Sequence, residues 1–237
     1  MKTIMRELSE MLNMPMPIAF TPKSSVGETA FLSGFGFALY GVQNEAGMSY
    51  QTRGALTRKL KTKLGQLTRR TSRPTGVYLT WMIGIYDWID ACCKLKVPIV
   101  VISPPIDTET VFSGIDRIKA QSPETTIIVY TKDWLDFGRL QEAGVKTIIF
   151  NVSPDSLAKI LPDLRDNFSG FETLCLTAPD ECIMAGIAAF GANGFLFDES
   201  IIDMLDEDDD PISKLEKGMQ GVYHMLCDGK HTKIGCY

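Results

Sequence analysis

Two pairs of adjacent carboxylates, Asp180-Glu181 and Asp198-Glu199, interrupt otherwise apolar sequence, the second directly after Gly194-Phe195-Leu196-Phe197. Carboxylates so placed can serve as general acid and base, or Asp180 and Asp198 can hold a hard cation such as Mg²⁺. Histidine, the usual base near neutral pH, occurs only at His224 and His231, both beyond the last apolar run. Acid and base chemistry would therefore rest on carboxylates, tyrosine, cysteine or lysine. Six cysteines occur without a CxxC pair or a histidine-rich segment, so they read as reduced thiols, several of them in the core, rather than as a zinc site. No GxSxG, HExxH, GxxxxGK[ST] or GxGxxG motif is present. In "KSSVGET" Glu28 stands where a phosphate loop would place its lysine.

The elements that position these residues are legible from alternation. Short apolar runs at 76–81, 97–103, 125–131, 146–151, 172–177 and 193–198 are rich in β-branched residues and have the length of strands buried on both faces. Between them lie helical patterns such as "YDWIDACCKL", "DTETVFSGIDRIKA" and "DWLDFGRLQEAG", which is the signature of βαβ units. Two further strands are expected at 17–21 and 37–43. The second leads into an amphipathic helix with Leu56, Leu60, Leu64 and Leu67 on one face. An internal repeat supports the pattern: Asp133 falls on Asp180, Gly144 on Gly191 and Phe150 on Phe197, each 47 residues apart, while Val97 falls on Val145 at an offset of 48.

Eight strands alternating with helices predict an α/β fold, a single-domain (β/α)8 TIM barrel over 1–237 with an extra C-terminal helix after the acidic "DEDDDP" loop. The competing architecture is a pair of receiver-like flavodoxin folds. A receiver's phosphoacceptor aspartate and strand lysine are missing, because Ser103 or Asn151 and Asn151 or Asp198 occupy those places.

A parallel barrel works at the C-terminal ends of its strands. The residues there are Thr21, Gln43, Thr80 with Trp81, Ser103, Thr131 with Asp133, Asn151, Thr177 with Asp180, and Asp198 with Glu199. Asn151, Asp180 and Asp198 are the candidate catalytic residues of this ring. No metal ligand set is assigned. A plainer role competes for each, since strand ends reach solvent in any barrel and acids at helix N-termini act as caps.

Several phrases resemble the flavin-dependent barrels of the nitronate monooxygenase type and, more distantly, the inosine monophosphate dehydrogenases. "LNMPMPIAFTPKSS" is similar to that group's opening strand and flavin-contacting loop, "GFGFALYGVQ" to its glycine-rich second strand, and "LTRRTSRPTGVYL" to the entry into its third. "CKLKVPIVVIS" and "QEAGVKTIIFN" are similar to its fourth and sixth strands. The resemblance implies bound flavin mononucleotide (FMN) and oxidation of a small molecule, with Thr21, Pro22, Tyr78, Thr131 and Thr177 as the residues that would contact the cofactor. Tyr78 and Leu79 stand where the group places a flavin-touching asparagine, and "FNVSPDS" stands where its catalytic histidine would lie. Asp180, Glu181, Asp198 and Glu199 occupy the turns that would hold the phosphate, where like charge repels a dianion. The expected function is an oxidoreductase-like barrel acting on a small molecule at its C-terminal mouth. The alternative is a barrel that has lost catalysis and serves as a binding or assembly subunit.

The chain has 237 residues, 45% hydrophobic and 22% charged, with net charge −5, which is the composition of a globular protein. The cations of the stretch from Arg53 to Arg73 read as a solvated helix face, so nucleic acid is not an expected partner. No segment approaches about 18 consecutive apolar residues, and the N-terminus lacks a signal-like apolar core. A cytoplasmic protein without a membrane partner is expected. Homo- or hetero-oligomers are also expected, in which a partner subunit would supply a lid that the short C-terminus does not.

Overall fold

The computed structural model describes residues 18–23, 26, 37–42, 53–71, 74–80, 84–103, 107–131, 137–151, 170–177, 186–188 and 191–197. Among the described residues there are eight strands: β1 (Ile18–Lys23), β2 (Phe37–Val42), β3 (Thr75–Leu79), β4 (Ile99–Ile102), β5 (Thr126–Tyr130), β6 (Thr147–Asn151), β7 (Glu172–Thr177) and β8 (Gly194–Phe197). All coincide with the expected runs to within two residues at each end. Their hydrogen-bonded order follows the chain from β1 to β8 and closes through a parallel β8–β1 pair, the topology of a (β/α)8 barrel. The order 2-1-3-4-5 of a flavodoxin fold is excluded. The chain divides into two compact units, Pro22–Ile148 and Met1–Thr21 with Ile149–Tyr237.

In Pro22–Ile148, β2, β3, β4 and β5 pair in parallel, with Tyr40 beside Val77, Val77 beside Val100 and Val100 beside Ile127. The helices are α1 (Arg53–Thr68), α2 (Ile85–Lys94), α3 (Thr108–Gln121) and α4 (Phe137–Glu142). β4, "IVVI", is buried at every position, which requires cover on both of its faces. On α2, Ile85, Trp88, Ile89 and Cys92 form one apolar stripe at helical spacing, and Val111, Phe112, Ile115 and Ile118 do the same on α3. A Cβ on Gly114 would lie 2.9 Å from Ile89 Cδ1 and 3.6 Å from Ile102 Cδ1, so the glycine lets α3 close onto both α2 and β4. On α1, Leu56, Leu60 and Leu67 are buried as the leucine spacing predicts, while Leu64 is only half-buried.

Side chains tie the helices to one another. Arg117 of α3 grips the Asp90 carboxylate of α2 through both oxygens, at 2.5 and 2.9 Å, and Gln121 donates to the same group at 3.2 Å. Arg139 of α4 pairs with Glu109 of α3 at 2.9 and 3.3 Å and lies 3.9 Å from the centroid of the Phe112 ring. The N-cap of α3 is Asp107, which accepts from the Thr110 amide at 3.0 Å and its hydroxyl at 2.6 Å. These bonds hold the Asp107 carboxyl below its ordinary range, the Thr110 hydroxyl contributing most.

The repeat in sequence is a repeat in backbone geometry. At Gly144 (φ 64°) the amide bonds to Gln141 O, and that of Val145 to Leu140 O. At Gly191 (φ 104°) the amide bonds to Ala188 O, and that of Ala192 to Ile187 O. The same pair of bonds recurs where α2 ends, from Lys96 to Cys93 O and from Val97 to Cys92 O, with Lys96 at φ 51°. All three are Schellman closures, in which a left-handed residue satisfies the last helical carbonyls and releases the chain into the next strand. Two of them use glycine; Lys96 is the one non-glycine residue at positive φ among the described residues.

In the other unit, β7 pairs with β8 and β8 with β1, setting Cys175 beside Phe195 and Phe195 beside Ile18. Leu174, Cys175, Phe195 and Leu196 are all buried. Asn193 locks the start of this pairing: its side-chain oxygen accepts from the Thr173 amide at 2.9 Å, and its own amide donates to Thr173 O at 2.9 Å.

Candidate functional site

Strand alternation sorts the β2–β5 sheet into two faces. Val77, Leu79, Val100, Ile102, Ile127 and Val129 share one, and Ile102 places that face against α3. The opposite face, which a (β/α)8 topology turns inward, carries Gly76, Tyr78, Ile99, Val101, Ile128 and Tyr130. Register sets Gly41 of β2 beside Tyr78. Ser103 follows β4 by one residue, and its amide is pinned to Leu79 O at 2.9 Å, so the ladder continues to it and it alternates onto the Val101 face.

At the C-terminal ends of β3, β4 and β5 this inward face ends in three hydroxyls. The Tyr78 hydroxyl lies 2.5 Å from Ser103 Oγ, a short hydrogen bond in which either oxygen can donate. Burial pushes the Tyr78 phenol up to about 12, against a downward pull from the Ser103 bond and with a smaller upward push from Tyr130. Burial also raises the Tyr130 phenol. Both rings are therefore neutral at physiological pH. A neutral phenol that gives its proton to Ser103 keeps lone pairs for a ligand donor, and one that accepts from Ser103 keeps its proton for a ligand acceptor. Such a set can hydrogen-bond uncharged carbonyl, amide or hydroxyl groups, and its rings are flat and apolar.

The sequence-derived candidates distribute unevenly around this geometry. Tyr78 and Ser103 are brought together. Thr131 is buried one residue beyond β5, in the register of Ile127 and Val129, so the hydroxyl that β5 adds to the inward face belongs to Tyr130. Tyr130 belongs to no motif, and only the alternation of "TIIVY" places it with Ile128. Asn151 ends β6 and is exposed. Thr177 ends β7 beside Phe197, and Thr21 and Pro22 belong to β1. Asp180 and Asp198, with Gln43, Trp81, Asp133, Glu181 and Glu199, lie outside the described residues. The turns that would have to hold a flavin phosphate lie there too. Among the described residues, the inward face of β3, β4 and β5 carries neutral hydroxyls at these ends.

The buried thiols are chemically quiet. Cys92, Cys93 and Cys175 are unpaired by disulfides, and burial raises each above the ordinary thiol range, Cys175 well above it. Among the described residues no cluster of histidine, cysteine, aspartate or glutamate could hold a metal ion, and no helix is long and apolar enough to cross a membrane.

Comparison with solved structures places this topology among known folds. FabK from Thermotoga maritima, solved as its M276A mutant, superposes with a TM-score of 0.60 at 17% identity over 83% of this chain and 65% of its own. The chain thus spans less than two thirds of that protein. Thiamine phosphate pyrophosphorylase from Pyrococcus furiosus gives 0.59 at 14% identity, covering 90% of this chain and 98% of its own. Tryptophan synthase from M. tuberculosis, in an open form with BRD0059 bound, gives 0.65 at 11% identity, covering 94% and 99%. The fold is that of the (β/α)8 barrels. Differently named proteins share it, so at these identities the likeness carries architecture and not activity. No protein-family model and no curated protein sequence matches the chain.

Proposed function

We propose that the chain is an oxidoreductase-like (β/α)8 barrel that binds a small molecule at the C-terminal ends of β3, β4 and β5. The observation that carries this reading is the Tyr78–Ser103 hydroxyl pair, held on the inward face with Tyr130 beside it. Its support is threefold: the place where such barrels work, the fold shared with FabK, and sequence phrases similar to flavin-dependent barrels. FMN is the cofactor this reading implies, and it would supply the electron-accepting ring. The chain's own residues would bind and orient: Tyr78 hydrogen-bonds an uncharged ligand edge, Ser103 fixes the phenol, and Tyr130 flanks it.

The test is direct. The purified protein should show flavin absorbance, or should gain thermal stability when FMN is added. Tyr78→Phe should weaken flavin binding about tenfold, the equivalent of one hydrogen bond. A colourless protein with no thermal gain from flavin would sink the oxidoreductase reading and leave a barrel that binds or assembles without catalysis.

A further inference from the structure

Charge is segregated along this chain to a degree that its net value of −5 conceals. From residue 46 to residue 86 there is no aspartate or glutamate, and from 166 to 213 there is no lysine or arginine. The first stretch contains α1, "RGALTRKLKTKLGQLT", with five cations and no acid, followed at once by Arg69 and Arg70. A solvated helix face ordinarily mixes signs, because like charges three or four residues apart repel by about 0.2–0.5 kcal/mol per pair. α1 forgoes that relief along its whole length.

The exposed side of α1 also has a particular shape. Leu56, Leu60 and Leu67 turn inward, which leaves Gly54, Arg58, Thr62 and Arg69 exposed, with Gly65 half-exposed, along one stripe opposite them. A Cβ added at Gly54 or Gly65 would meet nothing within 4 Å, so neither glycine is required by packing within the protein. Gly65, inside the helix, nevertheless costs it roughly 1 kcal/mol relative to alanine. Arg58 and Lys61 stand beside the first gap and Arg69 and Arg70 beyond the second, all exposed. Arg58 Nε reaches back to Gly54 O at 3.3 Å, so the cations lie along the stripe itself and make it a positive track. From Arg58 to Arg69 it runs about 17 Å.

The second stretch supplies a matching ligand. Asp206, Glu207, Asp208, Asp209 and Asp210 are consecutive, five acids against the five cations of α1. We propose that the exposed face of α1 is a self-association surface that takes the acidic run 206–210 of a second copy of this chain. Charge complementarity within one sequence selects this occupant, and a reciprocal exchange between two copies would satisfy both surfaces at once. The contact is electrostatic and exposed, hence weakened by salt, because the screening length falls from about 10 Å at 0.1 M to about 3 Å at 1 M.

Sedimentation of the full chain tests it. At low salt the wild type should sediment as two chains or more, and raising salt toward 1 M should weaken association at least tenfold. A variant carrying Arg58→Glu, Lys61→Glu and Arg69→Glu should remain a single chain, as should one carrying Asp206→Lys, Asp208→Lys and Asp210→Lys. Mixed, the two should recover a one-to-one complex, an outcome that misfolding of either variant cannot produce. Unchanged circular dichroism melting of each variant controls for the fold. A single-chain mass for the wild type at low salt overturns the proposal, as does a mixture that fails to associate. If α1 then binds a labelled oligonucleotide, the surface belongs to nucleic acid and the proposal is equally lost.

Discussion

At the level of single residues, the Tyr78–Ser103 pair has consequences measurable without any ligand. Removing either hydroxyl breaks this short bond on a largely buried face, so Ser103→Ala and Tyr78→Phe should each cost about 1 kcal/mol, and a double-mutant cycle should show coupling of about 1 kcal/mol. The pH dependence has a definite sign. Below pH 10 the Tyr78 phenol is protonated in the folded and the unfolded chain alike. Above it the unfolded phenol ionises while the folded one, raised to about 12, does not, so stability falls as pH climbs from 10 to about 12. Two pH units correspond to about 2–3 kcal/mol, and Tyr78→Phe should remove that part of the alkaline decline in a denaturation series. Cys92 and Cys175, also raised, begin the same trend from the ordinary thiol range upward. Gly76 makes the opposite point about space: a Cβ there would stand 2.7 Å from Leu39 Cδ2 and 3.1 Å from Ile99, both buried, so Gly76→Ala should destabilise by about 1–3 kcal/mol.

At the level of elements, the three Schellman closures allow a test in both directions. Lys96 adopts at φ 51° a conformation that glycine reaches freely, and it is largely exposed, so Lys96→Gly should stabilise the fold by up to about 1 kcal/mol in thermal melting. Gly144→Ala should destabilise by a similar amount, since a side chain at φ 64° is strained and its Cβ would press on Lys119 Nζ. The strands were legible because burial on both faces writes continuous β-branched runs, with "IVVI" of β4 the clearest, and the repeat was legible because each closure needs the same turn. The site was only half legible. Ser103 and Tyr78 could be placed at strand ends, but their meeting depends on the β3–β4 register, which no local pattern states. Thr131 drew notice as the polar residue after its run, whereas the residue sharing the face of Ser103 is Tyr130, whose phenol is easily read as one more strand-forming aromatic. The Asp90–Arg117 and Glu109–Arg139 grips were likewise invisible, because they join residues 27 and 30 positions apart on different helices.

At the level of the whole molecule, stability rests on buried apolar strands that few polar contacts could replace. Phe195 is fully buried and stands in register with both Cys175 and Ile18, so Phe195→Ala should cost about 3–5 kcal/mol, the largest loss expected of any substitution discussed above. The same register has a consequence in time. Each of β2 through β5 finds a partner nearby in the chain, but β1 pairs with β8, bringing Ile18 against Phe195 across almost the full described sequence. During synthesis at about 5–20 residues per second, one edge of β1 must wait roughly 10–35 seconds for its neighbour to be made. Throughout that interval it offers unpaired backbone to any other strand within reach. The β1–β8 seam is therefore where a nascent chain is most open to chaperones and to aggregation.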